Sequence, residues 1–152
     1  MGPMADSPPM TPWSDEVLAD GPVLRRLLEG MPDAFVAADT GGVIRFWNAA
    51  AARLFGFSRE QALGQGLELL IPERFRPAHD AGFARAVATG TLRTGTRVLR
   101  TRSQHQDGQR LYVDFTFSLL QAQDGQVLGV CALARDATEA HLQQQSNPGK
   151  TT

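Results

Sequence analysis

Residues 31–64 read MPDAFVAADTGGVIRFWNAAAARLFGFSREQALG, and the order of signals in this stretch decides the fold. Ala34–Ala38 is a short apolar run of strand type, and Asp39-Thr40-Gly41-Gly42 supplies the residues of a tight turn. Val43–Trp47 returns as a second strand, so the two form a hairpin. Asn48 then stands where a helix N-cap belongs. The four alanines that follow it favour helix, and Gly56 stops the run. Ser58, with Gln61 three residues later, is the capping box of another short helix reaching Leu63-Gly64.

Working outward toward the C-terminus, residues 105–139 read HQDGQRLYVDFTFSLLQAQDGQVLGVCALARDATE. Leu111, Val113, Phe115, Phe117 and Leu119 alternate with Tyr112, Asp114, Thr116 and Ser118. That period of two gives a strand with one apolar and one wetter face. Asp107-Gly108 and Asp124-Gly125 are hairpin turns. Three strands are therefore expected, over Thr94–Ser103, Leu111–Leu119 and Val127–Arg135. Strands from both ends of the chain join in one five-stranded antiparallel sheet with short helices on one face, an α+β layout. Asp136-Ala137-Thr138 closes the unit, and Glu139–Gln145 begins a polar helix.

Between the two halves lies Ile71–Gly90, IPERFRPAHDAGFARAVATG. It reads as a loop running into a helix over Pro77–Thr89, ended by Gly90. Phe75, His79, Phe83, Ala86 and Val87 recur at helical spacing and share a face. His79 is thus a single histidine on an apolar side. Before the first strand, residues 1–13 (MGPMADSPPMTPW) are Pro-rich and disordered in type. Residues 14–30 form an N-terminal flanking helix, capped at Ser14 and broken at Gly21-Pro22. Its stripe of Leu24, Leu27 and Leu28, with Leu18 and Val23 as candidate extensions, is read as a homodimer contact, the alternative being a face that packs on its own sheet. Residues 31–140 make up the folded domain, and 141–152 a polar C-terminal tail.

Composition narrows the function. The 152 residues carry 15 Lys plus Arg against 16 Asp plus Glu, a net charge of −1. This argues against nucleic acid or a membrane surface as a partner held by bulk charge. Arg93, Arg97, Arg100, Arg102 and Arg110 cluster in sequence, as on a solvated strand edge. One cysteine, Cys131, forbids an internal disulfide and suits a reducing compartment, so a cytoplasmic location is expected. Its apolar surroundings mark it as a small buried hydrophobe. No segment approaches the roughly 20 apolar residues of a membrane span. The histidines lack zinc-ligand spacing, His105 and His141 are read as solvated, and no phosphate loop or nucleophile elbow occurs. The chain reads as a binding module without enzymatic activity.

The two quoted halves, with the hairpin-Asn-alanine helix-LFGF order and the closing Asp-X-Thr, resemble a PAS domain over about residues 23–140. The resemblance implies a PAS sensor domain. IPERFRPAHDAGF in turn resembles the haem-ligating segment of bacterial haem-PAS oxygen sensors. In those a helix presents the proximal histidine, and His79 stands at that place. The resemblance implies haem b as cofactor, iron on His79, and a pocket that includes Phe83, Val87, Phe115, Phe117 and Leu133. The sensors also place an arginine on the first of the three later strands. Here Leu99 stands at that spacing, and Arg97, two residues earlier, is expected on the same strand face. The sixth iron ligand is left open among oxygen, carbon monoxide, nitric oxide and redox state. Two readings follow: a haem-based gas or redox sensor, or a haem-free dimerisation module with a small apolar metabolite in its pocket. The asparagine-cysteine helix of light-sensing flavin PAS domains is absent.

Overall fold

The computed structural model describes residues 21–146. The expected tail at 1–13, the start of the flanking helix at 14–20 with Leu18, and residues 147–152 lie outside the described residues. Helix α1 (Gly21–Glu29) leads into β1 (Ala34–Asp39) and β2 (Ile44–Trp47). The hairpin turn is built by Asp39. Its Oδ1 accepts from the backbone N–H of Gly41 at 2.9 Å and Val43 at 3.1 Å, and Arg45 Nε donates to Oδ2 at 2.8 Å. The Val43 N–H first, then the Arg45 guanidinium, holds this carboxyl below its ordinary range.

Asn48 is the buried N-cap of α2 (Ala49–Phe55). Its Oδ1 accepts from Ala51 N and from Phe35 N, both at 2.9 Å. Its Nδ2 donates to the carbonyls of Leu28 at 2.9 Å and Asp33 at 3.0 Å. Two acceptor and two donor positions are all that an asparagine amide offers, and all four are used. One side chain therefore joins the end of α1, the loop after it, β1 and α2. Ser58 caps α3 (Arg59–Ala62) in a complete capping box with Gln61. Two single-turn 3-10 segments, Leu67–Leu70 and Glu73–Phe75, then lead to α4 (Arg76–Thr89). Gly90 ends α4 in the left-handed conformation, at φ 68°.

Strands β3 (Leu99–Gln104), β4 (Arg110–Gln121) and β5 (Val127–Asp136) complete an antiparallel sheet of order β2-β1-β5-β4-β3. Cross-strand partners share a face. The register Ala34↔Ala134↔Phe115 and Val36↔Ala132↔Phe117 defines the inner face. Ala34, Val36, Val113, Phe115 and Ala134 from that face pack with Trp47, Ala50, Ala51, Phe55, Ala62 and Leu70. Trp47 is buried because its indole N–H reaches Phe57 O at 3.0 Å.

A last helix, α5 (Thr138–Ser146), lies on the outer face. Thr138 Oγ1 accepts from Tyr112 N at 3.1 Å, and the rings of Tyr112 and His141 stack with centroids 3.7 Å apart. Arg100 binds Asp114 through Nε at 2.8 Å and Nη2 at 3.1 Å, while its Nη1 reaches Gln144 at 3.0 Å.

Three expectations change. The strand expected from Thr94 begins only at Leu99, because residues 92–97 turn twice on themselves, with Gly95 N on Leu92 O and Arg97 N on Thr94 O. His105 is half-buried against Gly56, where an added Cβ would lie 2.5 Å from the His105 Cε1. His141 is half-buried on Tyr112. Local sequence carries no sign of either tertiary contact.

Asn48→Ala removes four hydrogen bonds, to Leu28 O, Asp33 O, Phe35 N and Ala51 N, and leaves the Leu28 carbonyl only the Met31 N–H at 3.5 Å. It should lower unfolding free energy by about 2–3 kcal/mol in denaturant titration. The Arg100 guanidinium holds Asp114 below its ordinary 3.8. A carboxyl lowered in the folded state contributes its stability fully above that ordinary value and loses it as pH falls through the folded value. Asp114→Asn should therefore make melting temperature less sensitive to acid than in the wild type. Equal acid sensitivity in the two proteins would refute this.

A cleft between helix and sheet

Helix α4 starts with a fixed geometry. Pro77 in its first turn costs no hydrogen bond, and Arg76 Nε donates to Ile71 O at 3.0 Å across the preceding turn. At its far end α4 meets the sheet: a Cβ on Gly90 would lie 3.7 Å from Gln121 Nε2 and 3.9 Å from Val127 Cγ2. Midway, the Phe83 ring edge approaches the β1–β2 turn, 4.0 Å from a Cβ built on Gly42. Ala86 is the sole buried residue of the helix, and no residue of α4 belongs to the core cluster.

The His79 ring is 35% exposed and stacks on Phe83, with centroids 6.0 Å apart and planes 30° apart. Its Nδ1 is 3.5 Å from Asp80 Oδ1, at the outer limit of a hydrogen bond. Among the described residues Nε2 has no partner. Val87 is half-buried on the same helix. On the inner face of the sheet, Leu99 pairs with Phe115, and the Phe115 and Phe117 rings stack at 5.4 Å. Phe75, Val98 and Leu99 remain 39%, 63% and 41% exposed. These three thus stay open to solvent, whereas Phe115 is buried in the core on Phe55 and Phe117 packs against that core.

The sequence places His79 with Phe83, and Leu99 with Phe115 and Phe117, and the structure brings each set together. Two expected members fall outside. Leu133 pairs with Thr116 and Phe35, which puts it on the outer face, opposite Phe115 and Phe117. The one-residue offset between β4 and β5 sets Ala132 and Ala134 on the inner face instead. Arg97 precedes β3, so strand alternation does not apply to it. It is exposed, and its guanidinium bonds to its own turn, at Thr94 O (3.3 Å) and Arg93 O (3.5 Å). Cys131, also on the outer face, is half-buried, and burial pushes its thiol up.

Two cavities open elsewhere. One of about 580 Å³ is lined by Pro72, Glu73, Arg74 and Arg102, and one of about 410 Å³ lies between α1 and β2, with Leu24, Leu28 and Phe46 in its wall. Sequence reasoning placed Arg102 on a solvated edge; the closeness of β3 to the turn before α4 is a tertiary fact. No group of three or more His, Cys, Asp or Glu residues is placed to hold a metal ion among the described residues. No helix there is long and apolar enough to cross a membrane.

The chain is similar to known proteins. The sensor protein FixL of Bradyrhizobium diazoefficiens is 31% identical over 119 residues, 68% of this chain and 24% of that protein. The oxygen sensor protein DosP of Escherichia coli is 30% identical over 127 residues, 84% of this chain and 16% of that protein. This chain therefore spans a quarter or less of the length of these two relatives. The crystal structure of a PAS domain from Colwellia psychrerythraea superposes with a TM-score of 0.66 at 25% identity, covering 75% of this chain and 93% of that one. The PAS family, described as the PAS fold, matches residues 24–137, and the chain belongs to that family.

Proposed function

We propose that this PAS sensory domain binds haem b, with His79 as the proximal ligand, and senses a diatomic gas or redox state without being an enzyme itself. One observation carries the reading: an imidazole with an unpartnered Nε2 stands beside an aromatic ring, on a helix that the core does not claim. A lone histidine is a weak metal site. It would suffice if a porphyrin supplied the other ligands to the iron, which could then bind a gas. The apolar groups present fit such a plate, since Phe83 and Val87 lie on the helix side and Leu99, Phe115 and Phe117 on the sheet side. The relatives named as an oxygen sensor protein and as FixL lend weight to this choice among PAS ligands.

The chain's own residues have distinct tasks. His79 would hold the iron, and Asp80 Oδ1 is placed to accept a hydrogen bond from an N–H on Nδ1. Leu99, Phe115 and Phe117 exclude water and offer no hydrogen-bond donor. With Arg97 bonded to its own turn, the sheet side lacks the cation that would hold bound oxygen. Carbon monoxide, nitric oxide or redox state therefore suits this pocket better than stable oxygen binding.

A second reading, a haem-free module that dimerises through α1 with a small apolar metabolite in the cleft, is favoured by Leu24 and Leu27, which are 40% and 49% exposed. A homodimer through this helix is compatible with either reading. Removing residues 1–30 should convert a dimer to a monomer in solution sizing; a monomer before truncation would reject the contact.

Protein purified after growth with ample haem should show a strong Soret absorbance, and His79→Ala should lose most of it. Protein that stays colourless with added haemin would reject haem, and unchanged spectra in His79→Ala would reject the ligand assignment. In the haem-loaded protein, Leu99→Arg should slow oxygen dissociation measurably. An unchanged rate would contradict the donor-free sheet side.

A further inference from the structure

An open surface pocket of about 580 Å³ lies between the turn Glu73–Phe75 and β3. Arg102 sits in its wall with Nε fully buried and without a hydrogen-bond partner. A buried donor left unmade is costly, and a guanidinium donor more so. Arg74, which also lines the pocket, rests over the Phe75 ring, with Cζ 4.5 Å from its centroid. That contact orients the guanidinium through the ring face and leaves its N–H groups unspent. Among the described residues neither arginine has a carboxylate within 4.0 Å, although other arginines of the sheet are paired with Asp39, Asp114 and Asp33. Even Glu73, which lines the same cavity, is not within that reach of either. Two arginines without a carboxylate partner thus line one space at the β3 edge of the sheet, Arg102 from the face it shares with Tyr112, with one acid nearby.

We infer that this cavity is a carboxylate-binding site, with Arg74 and Arg102 as its two forks. Guanidinium matches carboxylate geometry with two parallel N–H···O bonds. Two cations and one acid leave a single positive charge, which suits a singly charged carboxylate better than a doubly charged phosphate. The site joins the turn immediately before α4 to β3. An occupant therefore ties the helix bearing His79 to the strand bearing Leu99. Two sources carry this chemistry: the acid side chain of a bound porphyrin, and a free small carboxylate. The site's geometry rests on neither.

The test uses the full chain, prepared without haem. Sodium butyrate is titrated by calorimetry, and haemin and haemin dimethyl ester by absorbance, on wild type, Arg74→Ala, Arg102→Ala, Arg102→Lys and Glu73→Gln. Binding of butyrate, of haemin, or of both should weaken about tenfold or more in each alanine variant and less in Arg102→Lys. Glu73→Gln should tighten it. A loss confined to haemin, with the ester unaffected, assigns the carboxylate to the porphyrin; a loss with butyrate assigns it to a free ligand. Wild-type melting curves in the variants exclude misfolding, and Arg102→Lys and Glu73→Gln keep the test open if an alanine variant fails to fold. Equal binding of every probe by wild type and variants, or binding of neither butyrate nor haemin, overturns the inference. If haemin alone fails to bind, the haem reading falls while the butyrate titration still decides this site.

Discussion

The Asn48 side chain is the constraint on which the rest of the molecule depends. A buried amide is costly unless satisfied, and this one finds its four partners on four separate segments: Leu28, Asp33, Phe35 and Ala51. Its position fixes how α2 leaves β2, so that Phe55 lands under Phe115 with ring centroids 6.5 Å apart. The same side chain holds the end of α1 and the following loop against β1. Small residues at Ala34, Ala50, Ala51 and Ala134 then let helix and sheet approach closely, and larger Trp47 and Phe55 fill the space between.

This core is complete without α4. Strands β1, β2, β4 and β5 and helices α2 and α3 send residues into it, whereas β3 and α4 do not; α4 buries Ala86 alone and is attached by Gly90 at one end and the Phe83–Gly42 approach midway. Such an element is expected to open locally at lower cost than the core strands. A binding site needs that property, because its surfaces must remain available to something other than the protein. On the far side of the sheet, Arg100 joins β3 to β4 and α5 through Asp114 and Gln144. Leu99 and Arg100 are neighbours on β3 with opposite faces. A shift of that strand would therefore reach the C-terminal helix, and a ligand conveys a signal only by favouring one such arrangement over another.

Local signals were legible in the sequence. Asn48, the Ser58–Gln61 pair, Gly56 and Gly90 do in the structure what their residue types suggest, because caps and stops act within a few residues. The alternation of β4 was equally plain, since the period of two survives any register. The parts not legible depend on register or on distant segments. The face of Leu133 follows from an offset between β4 and β5 that no single strand encodes. The late start of β3 follows from turns centred on Gly95 that remove Arg97 from the strand. The contacts of His105 with Gly56, of His141 with Tyr112, and of Arg74 and Arg102 with one cavity join residues far apart in sequence.

The central claim is that α4 stands outside the core until a porphyrin on His79 joins it to the sheet. Native-state hydrogen exchange, followed residue by residue with and without haemin, tests it most directly. In the haem-free chain the amides of Gly82–Val87 should exchange faster than those of Val113–Phe117 and Ala132–Ala134. Haemin should then slow the α4 amides in the wild type and leave them unchanged in His79→Ala. Amides in α4 as protected as those of β4 without haemin, and indifferent to its addition, would contradict the account.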